Sequence, residues 1–73
     1  MALRLLAYRE VVRRLQAAGF VEVSQRGSHI KFVRETALGI YTTIVPRHRE
    51  IAIGTLRSIL RQAGVTMEEW ETL

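Results

Sequence analysis

The 73-residue sequence predicts a small α+β domain: a helix, three antiparallel strands and a second helix, with both main helices on one face of the sheet. Three observations carry this. Apolar residues recur at helical spacing near each end of the chain, and β-branched and aromatic residues gather in three runs between them. The links between those runs are short enough for antiparallel pairing.

Tyr8, Val11, Val12 and Leu15 fall at the i, i+3, i+4, i+7 spacing of one helix face, with Arg9, Glu10, Arg13 and Arg14 off that stripe. This first amphipathic helix should stop at Gly19, which tolerates a left-handed backbone, with Phe20 placed to pack back on Leu15. No Ser, Thr, Asp or Asn stands just before Tyr8 to cap its start. Strand character then occupies residues 20–26, 29–35 and 40–45. Gly27 and Ser28 form a tight turn, residues 35–39 a looser one, and Pro46 ends the third strand because it has no amide hydrogen for a ladder. Period two puts Ile30 and Phe32 on one face of the middle strand and His29, Lys31 and Val33 on the other. Helices covering the apolar face would leave His29 and Lys31 toward solvent.

Leu56, Ile59, Leu60 and Ala63 repeat the helical spacing, with Thr55 as the expected cap and Gly64 as the stop; Arg57 and Arg61 share the outer side. Thr66 and Glu69 have the spacing of a capping box, so a last short helix should set Trp70 against the body as a core or interface anchor. The role of Tyr41, on the side opposite Ile40, is left open by the pattern. One domain over residues 1–73 is expected, since so short a chain holds a single core.

Apolar residues make up 48% of the chain and charged residues 25%, the balance of an ordinary globular domain. The opening, Met1 to Ala7, is too short for a secretory signal and is interrupted by Arg4, and no stretch suits a membrane span; with no cysteine, the reading is a cytoplasmic protein. Charge is unevenly placed. Ten arginines and one lysine stand against four glutamates up to Val65, a formal +7, whereas Glu68, Glu69 and Glu71 give the tail −3. A basic body of this kind suits a polyanionic or acidic partner.

The absence of aspartate and the scatter of the glutamates disfavour a two-carboxylate or hard-metal site. Without cysteine, zinc would need both histidines and glutamates, and no serine sits in a nucleophile elbow, so the reading is cofactor-free and metal-free. What remains is imidazole. His29 follows the Gly27-Ser28 turn with Lys31 on its face, and His48 stands between Arg47 and Arg49 after Pro46. Both could be plain surface histidines. Both could also serve RNA cleavage, because RNA brings its own 2′-hydroxyl nucleophile and needs only a proton carrier and cations for the phosphorane charge.

Gly27-Ser28-His29 opening a strand, Ile44-Val45-Pro46-Arg47-His48 closing another, and Gly54-Thr55-Leu56-Arg57-Ser58-Ile59-Leu60-Arg61-Gln62-Ala63-Gly64 in a helix are similar to the successive blocks of the HicA toxins. The Ala18-Gly19-Phe20 helix end and the tail around Glu68, Glu69 and Trp70 match as well, so the resemblance spans nearly the whole chain. It implies a fold like a double-stranded RNA-binding domain, mRNA endonuclease activity through His29, and neutralisation by a HicB-type antitoxin in a hetero-oligomer. Gly27 and Ser28 would then shape the catalytic turn and, with Lys31, Arg47, His48, Arg49, Thr55 and Arg57, bind RNA. A non-catalytic module gripping A-form RNA by shape is the alternative from the same fold. A pure protein-interaction domain would explain the acidic tail but not the arginine-rich body.

Overall fold

A computed structural model describes residues 4–73; the first three residues of the apolar opening lie outside the described residues. The chain runs through β1 (Leu6–Ala7), α1 (Tyr8–Ala17), β2 (Val21–Arg26), β3 (His29–Thr36), β4 (Gly39–Pro46), β5 (Glu50–Ile51), α2 (Ile53–Ala63) and α3 (Met67–Glu71). β2, β3 and β4 form the antiparallel sheet in that order, and β1 pairs with β5 in a separate two-stranded ribbon. The helix–three strands–helix layout is the expected one, and the ribbon is an addition to it.

One core joins the helices to the inner face of the sheet. Val11 and Leu15 of α1 and Leu56, Ile59, Leu60 and Ala63 of α2 are buried with Ile30, Phe32 and Val45, and Phe20, Ile51, Val65 and Trp70 complete the cluster. Tyr8 and Val12, the other half of the α1 stripe, are partly buried against it. Burial alternates along β3 as period two requires: Ile30 and Phe32 are within 1% of full burial, whereas His29 and Lys31 are exposed.

Both helices end as their glycines suggest. At the end of α1 the Phe20 N–H donates to the Leu15 carbonyl (2.9 Å) and Gly19 N–H to Gln16 (3.0 Å), with Gly19 at φ 96°. At the end of α2, Val65 donates to Leu60 (3.1 Å) and Gly64, at φ 68°, to Arg61 (3.3 Å). These are paired 6→1 and 5→2 bonds of Schellman ends. The capping box closes too, the Thr66 N–H bonding the Glu69 carboxylate (3.0 Å) and the Glu69 N–H the Thr66 hydroxyl (3.1 Å).

The starts of the helices differ from expectation. Thr55 is not the cap of α2: the helix begins at Ile53 behind Ala52, which offers no side-chain bond, and Thr55 sits half-buried inside the first turn. The Leu56 N–H already bonds the Ala52 carbonyl (2.9 Å), so the apolar Ile53 and the glycine after it are helical although neither signals a start. Strand bounds shift by a residue or two. Phe20 leads into β2 rather than belonging to it, β3 continues to Thr36, and β4 spans Gly39–Pro46 with Pro46 still paired to His29. Pro46 is the last residue of that strand, where its missing N–H breaks no further rung.

Two inner-face polar residues join sheet to helices. Thr43, fully buried, donates its hydroxyl to the Gln62 side-chain oxygen (3.0 Å), which also receives the Ile44 N–H (3.2 Å), so α2 satisfies one amide on the free edge of β4. Arg34 lies over the Phe20 and Tyr41 rings at 5.1 and 5.4 Å and donates from Nη1 to the Ala18 carbonyl (3.0 Å). Tyr41 in turn packs on Gly64, where a Cβ would come within 2.7 Å of the ring. The open role of Tyr41 is therefore structural.

Candidate active site

The sheet face away from the helices carries the site. Arg26 and His29 are register partners flanking the two-residue loop Gly27-Ser28. Gly27 stands at φ 58° and Ser28 has negative φ, a pattern that suits glycine at the first loop position of a tight hairpin. Gln25 holds the loop by donating from Nε2 to the Gly27 carbonyl (3.1 Å). Pairing across β2, β3 and β4 then builds rows on the outer face: Arg26, His29 and Pro46 in one, Ser24, Lys31 and Ile44 in the next. Ser24, Gln25, Arg26, His29, Lys31 and Ile44 line an open depression of about 450 Å³.

A register shift between Glu22 and Ser24 changes the pairing beyond these rows. The two-residue loop sets Arg26 opposite His29 and Ser24 opposite Lys31, and the extra residue, Val23, then places Val21 opposite Val33. Ile44, in the second row, is 38% exposed, and beyond these rows the face carries the uncovered apolar Val21 (59%) and Ile40 (68%).

The second sequence block, residues 46–49, reaches the same end of the molecule. The Arg47 N–H donates to the Ser28 carbonyl, His48 N–H turns back to Pro46 (2.8 Å), and the Arg49 carbonyl receives the Tyr8 N–H (3.2 Å) at the start of α1. Of the residues the sequence singled out, His29 and Lys31 line the depression, whereas Gly27, Ser28, Arg47, His48 and Arg49 do not; the backbone bond from Arg47 to Ser28 ties the 46–49 segment to the turn before His29. Thr55 and Arg57 lie on α2 and do not line the depression.

Several residues of this end escaped the sequence reading. Ser24, Gln25, Arg26 and Ile44 line the depression, and for Arg26 the signal was present, since a two-residue loop forces the residues on either side of it to pair. Tyr8 was read as a core position only. Its ring does pack there, and burial raises its phenol pKa, with the Glu22 carboxylate adding to the rise and Arg47 opposing it. Tyr8, Glu22 and Arg47 therefore sense one another at the inner side of the same end.

Not every arginine is free for a ligand. Glu10 receives Arg13 at 2.7 Å and Arg14 at 2.8 Å, and these bonds, Arg13 first, hold its carboxyl down to about 2. Arg14 also lies 5.4 Å from the Trp70 ring centre and donates to the Trp70 carbonyl (3.2 Å), while Arg13 reaches the Leu73 carbonyl (3.3 Å). These two cations fasten the acidic tail to α1.

Among the described residues, no group of three or more His, Cys, Asp or Glu side chains could hold a metal ion. Nor is any helix there long and apolar enough to cross a membrane. Comparison with curated proteins finds no match. A family model, that of the HicA toxin of bacterial toxin-antitoxin systems, matches residues 8–65, which include α1, the whole sheet, the 46–49 segment and α2. With that match covering well over half of its length, the chain belongs to the HicA toxin family.

Proposed function

We propose that this toxin is an mRNA endoribonuclease that works in the cytoplasm without a metal or cofactor, with His29 as its proton-transfer group and a HicB-type antitoxin as its neutralising partner. The observation that carries the reading is the setting of His29: exposed on the helix-free sheet face, at a glycine-shaped turn, with Arg26 as its register partner and Lys31 in the same depression. A ribose 2′-hydroxyl seated there would lose its proton to the imidazole as it attacks the adjacent phosphorus, and the cations would stabilise the charge gathering on the phosphorane oxygens.

Gly27 and Ser28 set the turn and offer backbone groups to the RNA. Lys31, Arg47, His48 and Arg49 bind phosphates at the same end, and Thr55 and Arg57 extend contact along α2. An acidic antitoxin covering this face would neutralise the toxin by excluding RNA, its carboxylates meeting the cations and its apolar residues meeting Val21, Ile40 and Ile44.

Incubating the purified chain with single-stranded RNA in EDTA tests the reading. Cleavage that persists in the chelator is the expected outcome. Retention of RNA without cleavage would instead identify a binding module, and cleavage abolished by EDTA would contradict the metal-independent mechanism.

A further inference from the structure

With His29 removing the 2′-proton, one proton transfer is left without a donor. In an in-line displacement the attacking 2′-oxygen and the departing 5′-oxygen lie on opposite sides of phosphorus. An imidazole beside the first is therefore badly placed to protonate the second. A guanidinium does not give up its proton in a protein, so the arginines serve charge rather than acid catalysis, and the groups left to donate are Lys31, inside the depression, and the second imidazole.

The chain has one other imidazole, and the backbone carries it to the His29 end. Pro46 is the register partner of His29, and Arg47 is bonded to the Ser28 carbonyl. The His48 N–H to Pro46 carbonyl bond (2.8 Å) turns the chain at Arg47, so His48 follows the strand end by two residues on a tight turn. The Tyr8 N–H holds Arg49 on the far side (3.2 Å). His48 therefore sits, exposed, on a three-residue loop pinned at both ends, one pinning bond being made to the residue just before His29. The core does not enclose the His48 ring, which is exposed.

We infer that His48 is the general acid that protonates the leaving 5′-oxygen, an assignment that rests on the reading of His29 as the base. As the P–O2′ bond forms, His29 takes the 2′-proton. As the P–O5′ bond breaks, protonated His48 gives its proton to O5′. The products are a 2′,3′-cyclic phosphate and a 5′-hydroxyl end, and the two imidazoles exchange protons with water to return to their starting forms.

A leaving group that needs no proton isolates this role. Cleavage of single-stranded RNA and of uridine 3′-(4-nitrophenyl) phosphate is measured for the parent, His48→Ala and His29→Ala, each checked for folding by circular dichroism. For His48→Ala, the kcat for RNA cleavage should fall by ~10²–10⁴-fold, whereas the kcat for nitrophenolate release should stay within about threefold of the parent, and any lost phosphate contact raises KM alike on both substrates. His29→Ala should lose both reactions. Equal losses of kcat by His48→Ala on the two substrates, or a loss confined to KM, would overturn the acid assignment and leave the ribonuclease reading intact. A parent inert toward both substrates would overturn the two together.

Discussion

A guanidinium between two aromatic rings has given up much of its water, and Arg34 recovers part of that cost from the Ala18 carbonyl and from the faces of Phe20 and Tyr41. Its charge closes the end of α1 instead of facing a ligand, which a count of basic residues could not reveal. Arg13 and Arg14 are committed in the same way through Glu10. That group makes the pH dependence of folding predictable in sign. With its folded pKa at about 2 against an ordinary 4.5, Glu10 contributes stability that is present above pH 4.5 and lost as the pH falls toward 2. Urea midpoints measured between pH 5.5 and 2.5 should therefore fall more steeply for the parent than for Glu10→Gln. Parallel curves would show that the pair contributes nothing, an outcome open to an exposed, screened interaction.

Helix ends were legible where the backbone demands glycine and illegible where no side chain announces a start. Gly19 and Gly64 mark the ends of α1 and α2 because only a residue without Cβ takes their positive φ freely, and at Gly64 the Tyr41 ring leaves no room in any case. The starts behind Ala7 and Ala52 carry no cap, and Thr55 misled because it is the only capping residue type close by. At α1 the Arg49 carbonyl takes one N–H of the first turn, a partner far away in sequence. The β1–β5 ribbon was invisible for the same reason, since two-residue strands are too short to show alternation. The bare start of α2 leaves stability unclaimed: Ala52→Ser should stabilise the fold by about 0.5–2 kcal/mol, read as a raised midpoint in urea. No gain would mean that the first-turn amides already have partners.

Over the whole molecule, period two on β3 was enough to separate the core from the candidate site, because one alternating strand fixes both faces of the sheet. What it could not supply was the bulge in β2 that sets Val21 opposite Val33, or the bond that ties Arg47 to Ser28, since these depend on pairing between separate segments. The resulting surface has a cationic end around His29 and an apolar field beyond it, while the acidic tail is tied down at α1. The buried core lies on the other side of the sheet, so chemistry and folding can be separated by mutation. His29→Ala should change stability by no more than ~0.5 kcal/mol, because the side chain is exposed and opposite the core. The most direct measurement is therefore cleavage of single-stranded RNA in EDTA by the parent and His29→Ala, with circular dichroism on both. The account predicts a folded variant slowed by ~10²–10⁴-fold. A folded His29→Ala chain that cuts RNA at the parent rate would contradict it.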